Sequence, residues 1–180
     1  MKSFILAVAC LLTVAVSAEA QSAIDMALAA APARAREGTT VIKWNADHTY
    51  ETLQQGTNQL VCYDRSSERG RRPFAVQCTN LANLDRVAQN RRFRAATTDR
   101  DSETAMIRAA EANGTRAEVA YGSMFIAMSG PDMASAGTHT TIAVPGATAA
   151  STGFPTSREG GGAYLMEAGT GGAHIMVPGR

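Results

Sequence analysis

Large apolar side chains are scarce in this chain, and that scarcity decides what it can fold into. Beyond residue 20, only 37 of 160 residues are apolar and bigger than alanine, while 29 are alanine, which buries little area. Such a stock fills one modest core and not two, so residues 21–180 are expected to form a single domain. A core this lean also needs a staple. Two cysteines, Cys62 and Cys78, are available for it.

Residues 1–20 read as a signal peptide. Lys2 gives the positive start, Phe4 to Val16 an apolar stretch, and Ala18-Glu19-Ala20 a small-x-small cleavage signature. Cleavage there makes Gln21 the first mature residue and removes Cys10. It also sends the chain to the periplasm or out of the cell, where the remaining cysteine pair is expected to oxidise. The bridge then closes over Tyr63 to Gln77, a segment with Arg65, Arg69, Arg71 and Arg72 that reads as a loop unable to pack alone. No later apolar run approaches the roughly 20 residues of a membrane span, so the mature chain is expected to be soluble. Export and a net charge of only +1 argue against a nucleic-acid partner.

Periodicity places the elements. Gln21 to Ala31, with Ile24 and Leu28 four apart, predicts a short helix that Pro32 ends. From Thr40 the apolar runs Val41 to Trp44 and Leu60 to Tyr63, with the β-compatible His48 to Gln54 between them and turn residues separating all three, predict a three-stranded antiparallel meander. After Cys78, Asn80 caps a helix with Leu81, Leu84, Val87 and Ala88 on one face. A second helix is expected from an Asp101 cap to Asn113-Gly114. Strands follow at Val119 to Met128, Thr140 to Val144, Ala163 to Glu167 and Ala173 to Val177. The expected fold is α+β: one antiparallel sheet, two or three helices packed on one side, and one disulfide.

The last third also carries a degenerate repeat. Ala120-Tyr121, Met128, Gly130, Gly137-Thr138-His139 and Val144-Pro145-Gly146 are answered by Ala163-Tyr164, Met166, Gly169, Gly172-Ala173-His174 and Val177-Pro178-Gly179. With these residues the chain resembles a family of exported bacterial proteins of unknown function. The resemblance rests on Ala30 to Pro32, Gly38 to Trp44, Gly56-Thr57-Asn58 ahead of Cys62, and Cys78 before a helix. It is most specific in Gly161-Gly162-Ala163-Tyr164-Leu165-Met166, Gly169-Thr170 and Ala173-His174-Ile175-Met176-Val177-Pro178. It implies secretion and a disulfide, and no reaction. The chain departs from the family in the helix after Cys78, where the family is richer in Trp and Met, and in a bridged loop that here carries four Arg.

Three kinds of chemistry compete. Residues two apart on a strand share a face, so His174 and Met176 project together, as do Met124 and Met128. Thioether plus imidazole suits a soft cation such as Cu(I), with His139, His174, Met128 and Met176 as the candidate ligands. Methionine is also a common core filler, and a strand-end histidine is commonly structural. The second feature is arginine: eight lie between Arg65 and Arg94, and Arg71 and Arg72 stand out as candidate contacts for an anion or an envelope component. Most of that run is expected to be a solvated face. For hydrolysis no activated nucleophile is visible; Ser123 lacks the second glycine of a nucleophile elbow, and Asp47-His48 sit in a turn. A non-enzymatic binding domain therefore ranks first, a soft-metal protein second and an enzyme third.

Overall fold

In the computed structural model, residues 17–179 are described. The apolar stretch of the expected leader and Cys10 lie outside them. Helix α1 (Ala18–Ala27) begins with Ser17 as its cap, so the expected cleavage point after Ala20 falls in its first turn. Its buried residues, Ile24 and Ala27, lie beyond that point. A 3-10 turn (Leu28–Ala30) closes it ahead of Pro32.

Among the described residues, eight strands form one sheet: β1 (Thr40–Trp44), β2 (Tyr50–Gln54), β3 (Leu60–Asp64), β4 (Phe74–Asn80), β5 (Met124–Gly130), β6 (Gly137–Ala143), β7 (Tyr164–Met166) and β8 (His174–Pro178), in the order β2-β1-β3-β4-β5-β6-β8-β7. Helices α2 (Leu84–Ala95) and α3 (Arg100–Ala112) follow β4, and α4 (Ala149–Thr152) lies between β6 and β7. The result is a single α+β domain with one disulfide, Cys62–Cys78.

Three features of the sheet and its layers differ from the sequence reading. The first three strands are not a meander, because β3 lies parallel to β1, with Val41 beside Cys62, and leaves β2 at the edge. The cause is burial: Val61, Cys62 and Tyr63 are buried on both faces and need a central place, whereas β2 is largely exposed and polar enough for an edge. Second, the segment read as a loose bridged loop ends in the first half of β4, a central strand. Cys62 and Cys78 face each other directly across β3 and β4, so the disulfide staples a hairpin inside the sheet. Third, the helices take both faces. As expected, α2 and α3 share one side, but α1 covers the other.

Strand alternation explains the division. Val41, Cys62, Phe74, Val76, Cys78 and Ile126 point to one face and pack with Ile24, Ala27, Ala30 and Ala31 of the N-terminal segment. Ile42, Val61 and Tyr63 point to the other, where Leu84 and Val87 of α2 meet them. The Gly56-Thr57-Asn58 turn ties the first of these layers to the sheet. A Cβ on Gly56 would stand 2.3 Å from the Gly38 carbonyl, and the N–H groups of Thr57 and Asn58 both donate to that oxygen.

Asn83, fully buried ahead of α2, fixes the return of the chain from the helices to β5. Its amide donates to the hydroxyls of Thr79 and Ser123, each at 2.9 Å, and its oxygen accepts from the Ala120 N–H at 3.0 Å. This also engages the Ser123 hydroxyl. Replacing Asn83 with Leu should cost about 2 kcal/mol, since it strips partners from buried polar groups. Urea unfolding measures the loss, and an unchanged midpoint would show that the amide does not hold this junction. The expected Asp101 cap shifts by two residues: Asp99 accepts from the Ser102 N–H at 2.8 Å.

Candidate functional site

The helix layer does not seal the face it covers. Between α2, α3 and strands β5, β6 and β8 lies a cleft of about 450 Å³, with Phe125, Thr141, Ala143 and His174 on its sheet side and Glu103, Ile107 and Glu111 on α3. It shares Asn90, Arg94 and Phe125 with a second cavity of about 160 Å³. That cavity in turn shares Arg65, Arg71 and Gln77 with a third, of about 130 Å³, which contains Arg72 and His139. The three form one groove running across the sheet. Eight arginines line it, against four glutamates and no aspartate.

The register shows why both histidines reach it. On β5 and β6, Phe125 pairs with Thr141 and Ala127 with His139; on β6 and β8, Ala143 pairs with His174. All belong to the face covered by α2 and α3. His139 and His174 stand four residues and one strand apart, about 14 Å, so they mark two ends of the groove and cannot share one ion. Met128 pairs with Thr138 and falls on the opposite face, where it packs against the N-terminal core. The four-residue set His139, His174, Met128 and Met176 is therefore not brought together. The repeat suggested otherwise because its two hairpins look alike in sequence. In the first, His139 faces Ala127 with Met128 one residue away, whereas in the second His174 faces Met166 directly; a shift of one residue reverses the face.

The arginines are not a solvated face either. Glu68, whose side chain is only 5% exposed, is the hub of Arg65, Arg71, Arg91 and Arg94. Arg65 grips it in a fork, with contacts of 3.1 and 2.8 Å from Nε and Nη2 to Oε2, and also donates to Gln77 at 2.7 Å. Gln77 accepts from the Tyr63 hydroxyl at 3.0 Å as well, which ties the network to the sheet. Arg94 and Arg69 reach Glu103 on α3. Burial opposes the charge on Glu68, but the hydrogen bond from Arg65 and the charges of Arg65, Arg94 and Arg91 outweigh it and hold the carboxyl below its ordinary value. Arg71 is pushed the other way, down to about 10, by burial and by the neighbouring Arg65 and Arg94. His139 is also held low, by burial first and then by the charges of Arg65 and Arg71.

At the other end, Arg86 crosses the cleft wall, donating to the carbonyls of Ala117 at 2.7 Å and Gly171 at 3.1 Å, with Glu111 3.9 Å away. Arg116 leans over Phe93 and is held by the side-chain oxygens of Gln89 and Asn90. Burial and the charge of Arg86 lower it to about 10. Among the described residues, Arg72, Arg108 and Arg116 make none of the ion pairs. Positive charge is therefore in excess along the groove, and much of it is fixed in place by hydrogen bonds.

No family model, curated protein or solved structure matches the chain. The groove must be interpreted from its own chemistry. Of the residues picked from the sequence, Arg71, Arg72, His139 and His174 line it, Met176 lies on the same face, Met128 borders the third cavity while its side chain packs on the opposite face, and Cys62 and Cys78 serve the core. The sequence reading missed Glu68, Arg65 and Gln77 as a network. The one visible clue was a single glutamate set among the arginines of that stretch. Among the described residues no three His, Cys, Asp or Glu converge as a metal-binding group, and none of their helices is long and apolar enough to cross a membrane.

Proposed function

We propose that this is an exported, non-enzymatic binding domain whose groove takes an elongated anionic ligand, such as an acidic oligosaccharide or a polyphosphorylated component of the cell envelope. The carrying observation is the charge of the groove, eight arginines against four glutamates along a trough that spans the sheet. A guanidinium fork matches carboxylate and phosphate oxygens, and an arginine already held in place loses little freedom on binding. The signal-like first 20 residues, the resemblance to exported proteins and the disulfide support export.

Tripolyphosphate and a tetramer of galacturonate separate the phosphate and carboxylate versions. Either should raise the melting temperature of the full chain, and the effect should fade between low and physiological salt. Replacing Arg72 with Ala should weaken binding about tenfold, the worth of one charge-assisted contact. Binding should also tighten as the pH falls below 6.5, because His139 then gains its charge. If neither probe shifts the melt, or if Arg72→Ala binds like the wild type, the groove is not an anion site.

A further inference from the structure

At the end of the groove marked by His174, two methionines outside its lining have no part in that reading. On the β7–β8 hairpin, Met166 is the direct cross-strand partner of His174, and Met176 follows His174 by two residues on the same face. We propose that Met166, His174 and Met176 form a binding site for a soft monovalent cation, Cu(I) by preference.

Geometry, ligand chemistry and packing each support it. Directly opposed residues place their Cβ atoms about 5 Å apart and diagonal ones about 7 Å apart, a triangle over which two thioethers and an imidazole can meet. His174 is already oriented. Its Nδ1 lies 2.8 Å from the Gly172 carbonyl, which fixes the proton there and leaves the Nε2 lone pair for a metal. Two thioethers with one imidazole select a soft ion over zinc or magnesium, and no thiol competes, since both described cysteines are in the buried disulfide.

The usual role of methionine is filled elsewhere. Met26 and Met128 pack against the N-terminal core, whereas Met166 and Met176 are half-buried and belong to neither buried cluster. A carboxylate stands beside the site although the groove as a whole is basic. Glu167, next to Met166, has a left-handed backbone (φ 53°) and folds its carboxylate over Gly172, where a Cβ would stand 2.2 Å from Oε2. Of the cations that share the cleft with His174, Arg86 is turned to Glu111 and to the Gly171 carbonyl, and Arg116 to the side-chain oxygens of Gln89 and Asn90.

The test is a Cu(I) titration of the oxidised full chain, without oxygen, against bicinchoninate as competitor. One ion per chain should be retained. Met166→Leu and Met176→Leu should each weaken retention about tenfold and His174→Ala by more, while Met128→Leu and His139→Ala should leave it unchanged. Leucine conserves volume, so the methionine variants should melt with the wild type. Independently, one equivalent of Ag(I) should move the methyl resonances of Met166 and Met176 in the unmodified protein. No retained Cu(I), equal retention by the variant that combines Met166→Leu, His174→Ala and Met176→Leu, or a silver shift at Met128 in place of these two would each overturn the site. Neither Met166 nor Met176 lines the groove cavities, so their variants should bind tripolyphosphate normally and the two readings can fail separately.

Discussion

Replacing Glu68 with Gln should lower stability by about 3 kcal/mol at pH 7, a fall of about 6–12 °C in melting temperature for a domain of this size. The substitution keeps the shape and removes the charge on which four arginines converge. The side chains of Arg65, Arg91 and Arg94 are only 14%, 13% and 15% exposed, so water cannot replace the lost carboxylate. The pH dependence carries the same mark. The Glu68 carboxyl titrates lower in the folded chain than its ordinary 4.5, so its contribution is complete above that value and is lost as the pH falls through the folded value. Wild-type stability should therefore fall on acidification below about 4.5, and the Gln variant should lose that part of the slope. Calorimetric melts of both proteins from pH 7 to pH 3 measure this. A variant that melts within 2 °C of the wild type, on a parallel pH profile, would mean that the arginines are held by other contacts.

Removing the disulfide by replacing both cysteines with Ala should cost about 3 kcal/mol, again about 6–12 °C. The bridge shortens the unfolded chain's freedom over a span of 16 residues. It also has a packing role, because both cysteines are fully buried under α1, and Ile24 and Ala27 belong to the same cluster. Hydrogen exchange should accordingly lose protection first at the amides of α1, before the strands β4 and β5. Equal protection of α1 in the variant and the wild type would show that the bridge serves only the hairpin and not the layer above it.

Several elements were readable from residue order alone because their information is local. Short apolar runs between turn residues gave the strands of the last third, with β5 beginning five residues later than expected, the N-terminal helical segment ended ahead of Pro32, and Asn113-Gly114 stopped α3. β4 was not readable. Its first half, Phe74-Ala75-Val76, follows a run of arginine, glycine and proline, and its burial on both faces removes the polar alternation that marks a strand. The arginines misled for a related reason. Composition cannot distinguish a guanidinium in water from one folded onto Glu68, since that depends on a hairpin loop meeting a helix more than twenty residues later.

What the sequence determined by itself is the stock of materials. It set one lean core, one cysteine pair, two glycine-punctuated hairpins, and an arginine excess between residues 65 and 94. The tertiary structure decided which of these share a face. Strand register is set by burial and pairing across the whole sheet, and a single residue's shift reverses every side chain. That is why Met128 leaves the candidate site and Met166 enters it, and why His139 and His174, equivalent in the repeat, come to stand at opposite ends of one groove.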